Sequence, residues 1–257
     1  LLVLELIGVF LTGRLQPSSE NPNRFLPKFN DFMMLLKYPL IVAALFLGLL
    51  SCNSDSPKSL TQEPVQAAPE ASEVSKENIV FFGNSLTAAY QLSPEQSFTA
   101  LIQEKIDSLN LPYTCVNAGL SGETTADGVN RVDWVLQQPV SIFVLELGGN
   151  DALRGLPVAE SKKNLQLTLE KVRAKFPDCK LVLAGMQAPP NLGLTYTTAF
   201  RAMYPALAQS HNATLIPFLL ENVGGVPSLN LPDGIHPNVA GQKIVAETVW
   251  EILKPLL

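Results

Sequence analysis

Histidine is nearly absent from this 257-residue chain, which holds only His211 and His236. Cysteine is scarce as well, at three residues, and aromatic side chains make up only 7%. The formal net charge is −5 and no run of Lys or Arg is interleaved with aromatics, so nucleic acid is excluded as an expected partner. No phosphate-cradling Gly/Ser/Thr loop follows the first apolar strand, which removes nucleotide binding. The apolar run Leu40–Leu50 has 11 residues, well short of the roughly 20 that a membrane span needs. No metal site is expected, and no internal repeat is present.

Composition divides what remains. Residues 1–32 contain no Met, precede a better start site, and are expected to be upstream translation rather than a working part. Residues 33–51 read as an export signal: a short cationic stretch with Lys37, the apolar run, and a small residue at its end. The ending Leu49-Leu50-Ser51-Cys52 resembles a bacterial lipobox. That resemblance implies lipidation of Cys52 and an exported, periplasm-facing lipoprotein of a bacterial cell envelope. Residues 52–77, with Pro57, Pro64 and Pro69 among polar side chains and no apolar period, read as a flexible tether. Residues 78–257 are long enough for one domain with a sizeable core.

Within that domain, short apolar strands alternate with amphipathic helices. Strands are expected at 78–83, 113–118, 141–147, 180–186 and 214–218, with helices at about 96–109, 124–137, 158–175, 196–210 and 238–254. Apolar strands separated by helices imply a parallel sheet covered on both faces. Right-handed crossovers then favour an α/β, flavodoxin-like three-layer α/β/α sandwich with a five-stranded parallel sheet of order 2-1-3-4-5. In this order two strands separate Cys115 from Cys179. At about 4.8 Å per strand, that exceeds the roughly 7 Å reach between Cα atoms of a disulfide. Both are expected to be buried free thiols.

Chemistry gathers in the strand-to-helix loops. Asp233-Gly234-Ile235-His236-Pro237 places a carboxylate three residues before an imidazole. Imidazole serves as a general base when an acceptor on its second nitrogen fixes the tautomer. Ser85, in Gly83-Asn84-Ser85-Leu86-Thr87 just past the first strand and at the expected start of a helix, supplies a nucleophile. Each residue has a plainer reading too. Ser85 fits a helix N-cap, and Asp233 fits the turn that Pro-Asp-Gly signals. Asn150, in Gly148-Gly149-Asn150-Asp151, either donates its amide to an oxyanion or caps the next helix, and Asp151 reads as structural. Gly122 offers a second oxyanion amide or an ordinary turn. His211, at the polar end of a helix, needs no role beyond the dipole there.

Taken together, Gly83-Asn84-Ser85-Leu86, Ala118-Gly119-Leu120-Ser121-Gly122, Gly148-Gly149-Asn150-Asp151 and Asp233-Gly234-Ile235-His236-Pro237 resemble the consensus blocks of the SGNH (GDSL) hydrolases. The resemblance spans residues 78–257 and implies a Ser85–His236–Asp233 triad. It also implies an oxyanion hole from the Ser85 and Gly122 amides and the Asn150 side chain. The stretches Glu146–Gly155 and Pro189-Pro190-Asn191-Leu192-Gly193 are especially similar to the bacterial multifunctional arylesterase, thioesterase and lysophospholipase type. That similarity implies a loop 148–155 over an acyl chain and substrate contacts from Leu153, Pro190 and Asn191. One departure stands out: the family block carries aspartate where this chain has Asn84. An amide keeps the shape and loses the charge. The expected function is a cofactor-free serine esterase acting on small-molecule or lipid acyl esters and thioesters, as a monomer with its membrane link through Cys52. A carbohydrate or cell-wall O-acetyl esterase and a non-catalytic tethered binding lipoprotein remain as alternatives. Leu153, Leu156, Leu192 and Leu194 in the loops favour acyl chains over sugars.

Overall fold

The computed structural model describes residues 76–257. The expectations placed on residues 1–75, including the export signal, Cys52 and nearly all of the tether, lie outside these described residues. Five strands form the sheet: β1 Glu77–Gly83, β2 Tyr113–Gly119, β3 Ile142–Glu146, β4 Lys180–Ala184 and β5 Thr214–Ile216. All pair in parallel, in the order β2-β1-β3-β4-β5. The expected order and fold class are therefore those observed. Six helices accompany them: α1 Phe98–Ser108, α2 Thr125–Val135, α3 Gly149–Leu153, α4 Val158–Lys175, α5 Leu194–Ser210 and α6 Val239–Leu253. On one face α1 packs against α6, and on the other α2, α4 and α5 lie side by side.

Covering both faces is what makes the central strands continuously apolar. Every residue of β3 and all but the first of β4 are buried, as are the last five of β1. Phe81, Phe82, Phe143 and Leu145 fill the space between the helix layers. Burial of each such side chain is worth about 2 kcal/mol. Cys115, in β2, and Cys179, just before β4, are free thiols with β1 and β3 between them. Burial pushes the Cys115 thiol up to about 12 and the Cys179 thiol up to about 11. Neither is an activated nucleophile.

The structure corrects several boundaries. β4 and β5 end earlier than expected because Pro217 has no N–H to continue the ladder and Gly185 lies against its backbone. A Cβ on Gly185 would meet the Pro217 carbonyl at 2.3 Å. α5 begins two residues early, at Leu194, and absorbs Pro205. Thr124 and Asn238 are N-caps rather than helical residues: Thr124 accepts from the Asp127 N–H, and Asn238 from those of Ala240 and Gly241. Ser85 does not open a helix. Residues 85–91 form tight turns, and α1 starts only at Phe98 after its Ser97 cap.

Candidate active site

All five strand ends point to one edge, and the loops leaving β1, β3, β4 and β5 line a cleft of about 430 Å³. Its wall includes Ser85, Asn150, Leu153, Met186, Phe218 and His236. The first loop positions Ser85. It is held by Ala88 N–H donating to the Asn84 carbonyl at 2.9 Å and Tyr90 N–H donating to the Ser85 carbonyl at 3.0 Å. The Asn84 side-chain oxygen accepts the Leu86 N–H at 3.0 Å, closing an Asx-type turn over Ser85. Ser85 itself is 9% exposed.

The last loop brings in the imidazole. Asp233 Oδ1 accepts the backbone N–H groups of Ile235 at 2.8 Å and His236 at 3.0 Å, which closes a local turn through Gly234. Gly234 has φ +71, a left-handed conformation that favours glycine. Leu231 N–H donates to the His236 carbonyl at 2.7 Å and pins the far side. The second carboxylate oxygen then lies 2.7 Å from His236 Nδ1, while His236 Nε2 lies 2.8 Å from Ser85 Oγ. The Tyr90 ring sits 4.6 Å from the imidazole, centre to centre, and walls off one face. Desolvation pushes the Asp233 carboxyl up, but hydrogen bonds from the His236 backbone and ring and from Ile235 outweigh it, bringing it down to about 2. Asp233 is thus an anion across the working pH range.

The second and third loops meet at Asn150, in the short helix α3. This helix was expected only as a loop, because Gly148-Gly149 masks its start. Asn150 Nδ2 donates to the Glu123 carbonyl at 2.9 Å and lines the cleft. Gly122, with φ +88, does not line the cleft; its carbonyl accepts from Arg154 at 2.9 Å. Glu123 pairs with Arg131, whose guanidinium also donates to the Ala118 carbonyl at 3.0 Å. Asp151 is buried and structural: it accepts from the Thr125 backbone at 2.9 Å, the Thr125 hydroxyl at 2.6 Å and the Ser161 hydroxyl at 3.1 Å. Leu153 and Pro190 line the cleft, whereas Asn191 is exposed beside it and is not part of its wall. His211 caps the C-terminus of α5, away from the cleft.

One residue of this neighbourhood was not read from the sequence. Glu146 ends β3 at 1% exposure, directly beneath the Ser85 turn. Its signal was available: a lone charge closing the apolar run Ile142–Glu146. Burial pushes its carboxyl up from 4.5 to about 7, against the lowering pull of hydrogen bonds from Thr87 and Asn84. A carboxyl raised on folding binds its proton more tightly in the native state. Its contribution to stability is therefore full below about 4.5 and is lost as pH rises through about 7. The loss is on the order of 3 kcal/mol. Glu146→Gln is accordingly expected to raise Tm by roughly 5 °C at pH 8 and change it little near pH 4.5, as read by thermal melts at both values.

Residues 81–244 match the family model described as the GDSL-like lipase/acylhydrolase family. The chain is 41% identical over 182 residues to Esterase TesA of Pseudomonas aeruginosa, covering 70% of this chain and 90% of that protein. It is 35% identical, also over 182 residues, to Thioesterase 1/protease 1/lysophospholipase L1 of Escherichia coli, covering 70% and 85%. Among solved structures, it resembles the psychrotrophic esterase EstA from Pseudoalteromonas, inhibited by monoethylphosphonate, at 31% identity and a TM-score of 0.66. That match covers 70% of this chain and 98% of EstA.

Proposed function

Since this chain belongs to the GDSL-like lipase/acylhydrolase family and is an ester hydrolase of the SGNH type, we propose that Ser85, His236 and Asp233 cleave acyl esters and thioesters through an acyl-enzyme. The observation that carries this reading is the continuous chain from Asp233 through His236 to Ser85, at 2.7 and 2.8 Å, opening onto the apolar-walled cleft. Ser85 Oγ attacks the substrate carbonyl carbon, and its proton passes to His236 Nε2. Asp233 accepts from Nδ1–H, fixes the tautomer and stabilises the imidazolium. The oxyanion is held by the Ser85 backbone N–H and the Asn150 side chain, residues that both line the cleft. His236 then returns the proton to the leaving alcohol or thiol. Water, deprotonated by the same imidazole, releases the acid and restores Ser85.

Leu86, Leu153, Met186, Phe218 and Ile235 give the cleft its apolar wall, which suits a hydrocarbon acyl chain. Among the described residues, Phe218 is the single Phe, Tyr or Trp in that wall, too few for the stacking platforms of a sugar cleft. Cys52 behind Leu49-Leu50-Ser51 is the proposed lipid anchor, with residues 52–77 as tether. The reading is tested with p-nitrophenyl esters from acetyl to palmitoyl. A rate that rises from acetyl to chains of about six to ten carbons, in keeping with the apolar wall, is the expected result. Turnover confined to acetyl esters would move the substrate to acetylated glycans, and no turnover with folded protein would remove the esterase reading.

A further inference from the structure

Glu146 is a buried carboxylate that the hydrolytic scheme leaves unused. Its Oε2 accepts the Asn84 backbone N–H at 3.1 Å and the Thr87 hydroxyl at 2.8 Å. Those two donors stand on either side of Ser85 in the chain. Among the described residues its Oε1 has no hydrogen-bond partner. Gly83 completes the enclosure, since a Cβ there would meet Thr87 Oγ1 at 2.1 Å and Glu146 Oε2 at 2.5 Å. Residues 83–87 therefore wrap closely around one carboxylate oxygen, and Ser85 sits at the crest of the wrap. A buried carboxylate with one oxygen left without a partner is costly, and such cost is often retained where it holds a functional geometry.

We propose that Glu146 is a positioning residue for the nucleophile, gripping the turn on both sides of Ser85, and that the Asn84 amide beside it adds no second charge to this buried space. This rests on the reading of Ser85 as nucleophile. Aspartate at position 84, as in the family block, would set a second carboxylate beside Glu146, and two such groups in a buried space share a proton. The Asn84 amide has the same shape without the charge. The other ionisable groups around Glu146 do not take over its role. Tyr204, from α5, is itself pushed well above its ordinary value by burial and then by the charges of Glu146 and Asp151. Arg131, from α2, reaches the Gly83 carbonyl at 3.4 Å but is paired with Glu123. His236, from the β5–α6 loop, lies on the far side of Ser85.

The test uses the full chain and the variants Glu146→Ala, Glu146→Gln and Asn84→Asp, with two readouts: kcat and KM on a short-chain p-nitrophenyl ester, and the Asn84 backbone amide resonance followed by NMR against pH. Glu146→Ala is expected to lower kcat about 30-fold at unchanged KM, because a loosened nucleophile misaligns attack without weakening acyl binding. Glu146→Gln is expected to recover kcat to within about threefold, since its amide oxygen still accepts both hydrogen bonds. The Asn84 amide is expected to titrate near pH 7 in the native protein and to be flat in Glu146→Gln. In Asn84→Asp the amide of residue 84 is expected to titrate at least about one unit higher. An Ala variant within about twofold of native kcat, a Gln variant no better than Ala, or a native Asn84 amide that does not titrate overturns the proposal. Should the native protein hydrolyse no ester, the esterase reading fails, while the amide titration still decides whether Glu146 grips the turn.

Discussion

Ser85→Ala is expected to lower kcat/KM on a p-nitrophenyl ester by at least about 10⁴-fold while leaving the fold intact. The loss is large because, among the described residues, Ser85 is the hydroxyl held against His236, 2.8 Å from Nε2. The two described thiols lie outside the cleft wall and are pushed up to about 12 and about 11, so neither is a thiolate at neutral pH. Some catalysis over water remains, since the proposed oxyanion donors are the Ser85 backbone N–H and the Asn150 side chain, neither of which the substitution removes. Stability should change by less than about 1 kcal/mol, because the turn is held by Asn84, Leu86 and Glu146 rather than by the Ser85 hydroxyl. Steady-state kinetics beside a thermal melt decides both parts. Activity within about tenfold of the native protein would remove Ser85 from the chemistry.

Asp233→Asn carries the second largest effect, a fall in kcat on the order of 10³- to 10⁴-fold. Asparagine keeps an oxygen for the Ile235 and His236 backbone N–H groups, so the turn that carries the imidazole survives. What changes is the atom facing His236 Nδ1, 2.7 Å away: an amide N–H₂ there favours the tautomer with its proton on Nε2. That tautomer cannot accept the Ser85 proton. In the native protein Asp233 is held at about 2, so its stabilising contribution is present above 3.8 and is lost only as pH falls through about 2. Because the side chain is 34% exposed, solvent screening keeps that contribution small. The variant should therefore melt within a few degrees of the native protein while losing its activity. An Asp233→Asn enzyme retaining more than about a tenth of native kcat would mean that His236 is oriented by something else.

How much of this was legible in the sequence follows physical lines. The strands came from local pattern, because a sheet buried on both faces writes itself as short apolar runs such as Ile79–Phe82 and Ile142–Leu145. Their order came from the right-handed crossovers between them. Ser85, Asp233 and His236 were legible because the triad logic fixes residue types and the topology sends their loops to one edge. Strand ends were less so: β5 stops at Ile216 because Pro217 packs on Gly185, a contact between distant segments that local pattern does not carry. The short helix α3 was hidden by the helix-weakening glycines that open it. Glu146 was missed for a related reason. Its burial follows from the wrap of residues 83–87, which are 59 or more positions away from it in the chain. The exclusion of Gly122 and Asn191 from the cleft wall likewise depends on loop placement, which the residue types alone do not set.

If Ser85 is an activated nucleophile, covalent trapping reaches it without any choice of ester. The protein would be treated with a fluorophosphonate, digested, and the modified peptide located by mass spectrometry, with Ser85→Ala as control. A single adduct on Ser85 is expected, formed quickly in the native protein and absent from the variant. Label on another residue, or none at all on folded native protein, would contradict it.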